Sequence, residues 1–155
     1  METQLSNYIV EPLTPEVVDW FIDVACIGML TYEVGRPELV NRPHLEKLTR
    51  LVIDQGTAFV VHKDGVYMGA IAGMVVGSIY NPNITVCNEL FWYVLPEFRN
   101  TRTGLLLLNA LVERGEQLAD ETIFSLLAGS TVNDKTLEKR GFVFSESGFI
   151  KNNKG

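Results

Sequence analysis

The sequence predicts a mixed α/β domain, a mostly antiparallel sheet flanked by helices, in the order β-α-α-β-β-β-α-β-α-β with room for one further strand. Three observations carry that expectation. Asp64-Gly65 sits between two β-branched runs, as a tight hairpin requires. Leu90 to Leu95 is an uninterrupted apolar run, as in a strand covered on both faces. Beyond Pro96, a short basic loop opens into Leu105-Leu106-Leu107-Leu108 and Ala110-Leu111-Val112, a dense helical pattern.

Each element follows from local signals. Asn7 to Leu13 suits a first strand, and Thr14-Pro15-Glu16 then offers an N-cap, an N1 proline and an early acid for a helix over Val17 to Leu30. Gly35 interrupts the helical pattern. Pro37 to Gln55 reads as a second helix with Leu45, Leu48, Leu51 and Val52 along one face and Gly56 as its stop. Thr57 to His62 and Val66 to Tyr80 form the hairpin strands, the second with glycines at 69, 73 and 77 that suggest a bulge or close packing. Asn81-Pro82-Asn83 turns the chain into the strand Ile84 to Leu95. A helix over Thr103 to Asp120, a buried strand over Thr122 to Leu127, a short helix over Asn133 to Arg140, and strands at Phe142 to Phe144 and Phe149 to Lys151 complete the chain.

With 155 residues, 46% of them hydrophobic and 21% charged, the chain suits one soluble domain. A net charge of -6 argues against a nucleic-acid surface and favours a basic or amine ligand. Two cysteines provide no disulfide framework, and the N-terminus lacks the pattern of a signal peptide, so a cytoplasmic protein is expected. No apolar run approaches the roughly 20 residues of a membrane span. His44 and His62 lack partners at metal-ligand spacing, so no metal site is expected.

The junction from Glu89 to Gly104, ELFWYVLPEFRNTRTG, is the best candidate for a site. The first N–H groups of a helix have no intrahelical partners and sit at the positive end of its dipole, so they favour anionic oxygens. Arg99 and Arg102 add charge there, and Gly104 permits close approach to the backbone.

This stretch resembles the central motif of the GCN5-related N-acetyltransferase (GNAT) superfamily: an apolar strand, Val-x-Pro-x-x-Arg/Gln-x-x-Gly-x-Gly/Ala, then a helix. Val94, Pro96, Arg99 and Gly104 fall at the motif spacing, with Arg102 where the first glycine stands. The wording ELFWYV-PE-R is similar to phage-encoded members, and the element order agrees over nearly the whole chain. The resemblance implies acetyl-CoA as cosubstrate. Its pyrophosphate would lie on backbone amides of Arg99, Asn100, Thr101, Arg102, Thr103 and Gly104, and its pantetheine arm would pair beside Tyr93 and Val94 like an extra strand. Asn133 matches an asparagine that often contacts the cofactor, and also suits a helix N-cap. Lys139 and Arg140 could reach adenosine phosphates, or simply complete a helix C-terminus.

Transfer to an amine needs a bound thioester, a neutral nucleophile and stabilisation of the developing oxyanion and thiolate. The resemblance implies a backbone N–H near Tyr93 and Val94 for the oxyanion. Glu89 is the candidate general base, an acid heading an apolar strand. The gap-free register puts Asn88 at the family's position, so a regular strand would turn Glu89 to the other face. The position of the family's usual proton-donating tyrosine falls on Leu137, which leaves water or a hydroxyl such as Ser125, Ser130 or Thr131. The family architecture places Tyr32 and Glu33 at the acceptor site.

The leading expectation is an acetyl-CoA-dependent N-acetyltransferase acting on an amine of a small molecule or a protein, with a homodimer compatible with the sequence. The alternative is a catalytically degenerate domain of the same fold that serves as a binding or structural component, which Arg102 and Leu137 suggest. In an unrelated α/β binding domain the motif would be coincidence.

Overall fold

The structure is a computed structural model that describes residues 7–127 and 132–154. The chain forms two compact units, Met1–Ser125 and Leu126–Gly155, and the sheet belongs to the first.

Five strands lie in sequence order: β1 (Ile9–Pro12), β2 (Ala58–Lys63), β3 (Val66–Gly77), β4 (Thr85–Val94) and β5 (Glu121–Ile123). The first three pairings are antiparallel and the last is parallel. That is the mixed, mostly antiparallel sheet expected. Asp64 and Gly65 carry positive φ values of 52° and 79°, so the β2–β3 connection is the tight hairpin that this dipeptide favours.

Helix α1 (residues 15–33) is a composite. A 3₁₀ turn at Pro15–Val17 and an α turn at Val18–Trp20 lead into wide π turns at Phe21–Cys26 and Met29–Glu33. Gly28 lies between the π turns, and a side chain there would press tightly on the Tyr93 ring, whose Cζ is 3.1 Å from the Cβ position. Thr14 precedes the helix as expected, but its side chain does not cap it.

Helix α2 (Arg42–Gln55) begins later than the sequence suggests. Pro37–Leu39 is a separate 3₁₀ turn, Val40 is extended, and the Asn41 side chain accepts the His44 N–H at 3.0 Å. An asparagine cap satisfies an otherwise orphaned amide and so competes successfully with an upstream start at Pro37. Gly56, with φ 71°, ends α2, and the Thr57 N–H reaches back to the Val52 carbonyl, as expected of a glycine stop.

The sheet buries both faces. Phe21, Ile22, Ala25 and Cys26 of α1, with Leu45 and Val52 of α2, pack on Ala58, Val60, Ala70, Ala72, Phe91 and Tyr93. Against the other face, Leu107 and Leu111 of α3 (Thr103–Leu118) pack on Val61, Met68, Ile71 and Cys87. Burying each such leucine contributes about 1.5–3 kcal/mol. The strand glycines make this approach close: a Cβ at Gly69 would lie 2.8 Å from the Tyr93 carbonyl oxygen, and one at Gly73 would lie 3.1 Å from Leu111 Cδ1. Below the end of β2, the Gln55 side chain takes the place of a strand residue. Its Oε1 accepts the Val75 N–H at 2.9 Å and its Nε2 donates to the Val75 carbonyl at 3.0 Å.

Several boundaries differ from the sequence expectation. β3 stops at Gly77 rather than Tyr80, because the Ser78 N–H closes the turn onto the Ile84 carbonyl. α3 stops at Leu118, and the Asp120 carboxylate instead accepts the Thr85 N–H at the start of β4. The expected buried strand over Thr122 to Leu127 is only three residues long, with Glu121 and Ile123 exposed. In the second unit, α4 (Asp134–Glu138) forms within the expected helix, but Phe142 to Phe144 and Phe149 to Lys151 are not strands. A strand needs a neighbouring strand to pair with, and among the described residues neither segment joins the sheet; the Phe142 N–H instead donates to the Leu137 carbonyl at 3.2 Å.

Candidate active site

β4 and β5 pair only at Val86–Glu121, Cys87–Thr122 and Asn88–Ile123. On β4 the next residue, Glu89, faces Gly73, and Phe91 faces Ala72, so Leu90 is an extra residue without a partner on β3. Such a bulge bends its strand and increases the local twist. Pairing with β5 thus ends where the bulge begins, and among the described residues the strand pairing of β4 from Glu89 to Val94 is with β3 alone.

The atoms on the open edge follow from the register. Val94 stands opposite Gly69, and the Leu95 N–H donates to the Met68 carbonyl at 3.0 Å. That pattern makes Val94 and Gly69 a non-hydrogen-bonded pair, so the N–H and C=O of Val94 point away from β3. The carbonyl is occupied by the chain's own arginine: Arg99 Nε donates to it at 2.8 Å. The same guanidinium donates from Nη2 to the Glu33 carboxylate and lies over the Tyr93 ring, 5.4 Å from its centroid. The side chains of Arg99 and Glu33 are 41% and 34% exposed, so solvent weakens this ion pair. Two residues expected on different ligands, Arg99 for the cofactor and Glu33 for the acceptor, are therefore bonded to each other. Tyr93 beside them is buried, which pushes its phenol upward. Tyr32 is 79% exposed on the same stretch of α1.

Beyond Val94, the chain makes a 3₁₀ turn at Pro96–Phe98 and enters α3. The Thr101 hydroxyl accepts the Thr103 N–H and bonds the Thr103 hydroxyl at 2.9 Å, while the amides of Gly104 and Leu105 have no backbone or side-chain acceptor among the described residues. Arg102, at the position of a motif glycine, has φ −76°, an ordinary right-handed value that arginine adopts without strain. Asn100 and Arg102 are exposed. A Cβ at Gly104 would meet nothing nearer than Val94 Cγ2 at 3.8 Å, so the protein's own packing does not require glycine there. The absent side chain leaves clearance above two uncapped amides.

Glu89 stands at the fork of the two strands. Its carboxyl is raised to about 7 by burial, against an opposing hydrogen bond from the Ser125 backbone. It shares the α3 side of the sheet with its register partner Gly73, whose Cβ position faces Leu111 and Cys87. Phe91 and Tyr93 face α1 and α2 instead. The structure therefore joins Tyr93, Arg99 and Glu33 in one cluster and places Glu89 separately, at the strand fork. In the second unit, Asn133 acts as a helix cap, its side chain accepting the Lys135 N–H at 2.8 Å, and Leu137 lies within α4. Ser130 and Thr131 lie outside the described residues.

Sequence reasoning missed the position of the bulge at Leu90 and an edge-to-face contact of Trp92 with Phe124, rings 5.9 Å apart and inclined at 82°, just past the end of β5. The strand glycines at 69, 73 and 77 were the available signal of a bulge, and the register shifts beside Gly73.

An open strand edge running into a basic helix start with two free amides offers hydrogen-bond partners to an extended ligand with an anionic end. The chain belongs to the acetyltransferase (GNAT) family, whose profile matches residues 16–142. Members of this family are N-acetyltransferases that use acetyl-CoA. Among solved structures, the fold is similar to an aminoglycoside acetyltransferase from an uncultured soil metagenomic sample, at 16% identity and TM-score 0.67 over 96% of this chain and 98% of that one. It is also similar to glucosamine-6-phosphate N-acetyltransferase from Arabidopsis thaliana, at 15% identity and TM-score 0.68 over 95% and 99%. A third similar structure is AAC(6')-Iy with a CoA bisubstrate analogue, at 16% identity and TM-score 0.68 over 96% and 99%. No curated protein matches the chain in sequence. Among the described residues, no helix is long and apolar enough to cross a membrane.

Proposed function

We propose that this chain transfers the acetyl group of acetyl-CoA to the amine of a small molecule, with the open edge of β4 and the start of α3 as its cofactor site. The observation that carries this reading is the continuity of the two: the unpaired edge ends at Val94, and the free amides of Gly104 and Leu105 follow within one turn and a loop. These groups fit the cofactor's chemistry, an extended chain of amides ending in a pyrophosphate. Acetyl-CoA, when bound, supplies the activated thioester carbonyl.

The chain's own residues take the remaining roles. The Val94 N–H, aimed at the open edge, donates to the acetyl carbonyl oxygen. Backbone amides from Arg99 to Gly104 hold phosphate oxygens, with Arg99 and Arg102 adding charge. Glu89 accepts the acceptor's proton across the strand fork. A carboxyl held at about 7 is well matched to that task near neutral pH. Tyr32 and Glu33 line the acceptor side, where a carboxylate suits an ammonium group. The similar structures named for aminoglycosides and glucosamine-6-phosphate support a small amine over a protein amine. The reading includes a cytoplasmic setting, and ELFWYV-PE-R supports kinship with phage-encoded members.

Thermal unfolding with acetyl-CoA tests the reading. At about 100 times its dissociation constant, the cofactor should stabilise the fold by roughly 2.7 kcal/mol. Amine-dependent thiol release across a panel of aminosugars should accompany that shift. No shift at millimolar cofactor would remove the proposal. A shift with no release from any amine would instead leave a binding domain.

A further inference from the structure

We propose that the Glu33–Arg99 pair is a latch on the cofactor edge, which acyl-CoA opens as it binds, releasing the Glu33 carboxylate for the acceptor. The inference rests on the acyl-CoA reading given above. Three contacts of one side chain carry it. Arg99 Nε occupies the Val94 carbonyl, the acceptor group on the open edge that an extended amide chain would need. Nη2 of the same residue holds Glu33, on the last turn of α1. The guanidinium plane is supported by Tyr93, which is packed against Gly28 of α1. An amide N–H arriving at Val94 displaces Nε, and a pyrophosphate at the start of α3 offers the guanidinium two negative charges in place of one carboxylate. Once Arg99 has moved to the phosphates, Glu33 is unpaired beside Tyr32, where a cationic amine satisfies it. The latch thereby makes acceptor binding depend on prior cofactor binding.

Its mark is the sign of an affinity change. A supporting contact would weaken cofactor binding when lost, whereas a latch competes with the cofactor and its loss strengthens binding. Coenzyme A titrated calorimetrically into the full chain should bind Glu33→Gln about two- to fivefold more tightly than the parent, the range expected for removal of a solvent-exposed ion pair. Glu33→Ala should do the same, which covers a glutamine that still accepts from Arg99. Glu97→Gln removes a neighbouring carboxylate on the Pro96–Phe98 turn without touching Arg99, and its affinity should stay within about 1.5-fold of the parent. Equal or weaker binding by both Glu33 variants, or an equal gain in Glu97→Gln, overturns the latch while leaving the acyl-CoA site intact. Failure of the parent and all variants to bind coenzyme A overturns the acyl-CoA reading itself, and the latch with it.

Discussion

Glu89 stands directly opposite Gly73, and the residue after it, Leu90, has no partner on β3. The pairing puts a carboxyl at the fork between β4 and β5, next to the Ser125 backbone, in surroundings that raise it from the ordinary 4.5 to about 7.

That shift makes Glu89→Gln informative in two ways. The folded chain holds a proton on Glu89 that the unfolded chain has lost above about pH 4.5, so this contribution to stability is complete below that pH and is lost as pH rises through about 7. Glutamine never ionises. The variant should therefore match the parent's Tm near pH 5 and exceed it near pH 8.5, a crossover visible by calorimetric melting. If Glu89 is the base, turnover in the parent should rise with pH to a plateau above about 7, and the variant should lose about 10²–10⁴-fold with little change in coenzyme A affinity. Unchanged turnover would reassign the base.

Gly69 lets β3 come close under β4. Its missing Cβ would lie 2.8 Å from the Tyr93 carbonyl oxygen and 3.2 Å from both Leu107 and Thr103. Backbone cannot give way as a flexible side chain can, so Gly69→Ala should destabilise the fold by about 1–3 kcal/mol in urea unfolding.

Trp92 and Phe124 meet edge to face across the place where β4 and β5 have separated. A double-mutant cycle with leucine at each position should return a coupling of about 0.5–1.5 kcal/mol by chemical denaturation. A value near zero would mean that the rings only share space.

Asn41 determines where α2 begins. Asn41→Ala should cost about 1 kcal/mol, and Asn41→Asp, which keeps the acceptor, should recover most of it.

Much of this fold could be read from the chain because its signals are local. Asp64-Gly65 specifies a turn by backbone conformation, Gly56 stops a helix for the same reason, and the leucines of α3 announce a buried face by their spacing. The failures share another cause. A residue belongs to a strand only if another segment pairs with it, which is why Phe142 to Phe144 and Phe149 to Lys151 looked like strands and are not. Within the site, the motif residues from Val94 to Gly104 were legible, but Arg99's attachment to Glu33 spans 66 positions and leaves no trace in local pattern. The direction of the Val94 amide depends on its pairing with Gly69, which composition does not encode.

The bulge at Leu90 amounts to a change of phase partway along one strand. Before it, Cys87 and Glu89 lie on the α3 side, and after it that side belongs to Trp92 and Val94, with even numbers replacing odd. The two halves of β4 thus answer to different neighbours, Thr85 to Asn88 to the short parallel strand and Phe91 to Val94 to the helices and the open edge. Substitutions at one end can retune the fork without re-registering the other. A single segment can in this way evolve as two.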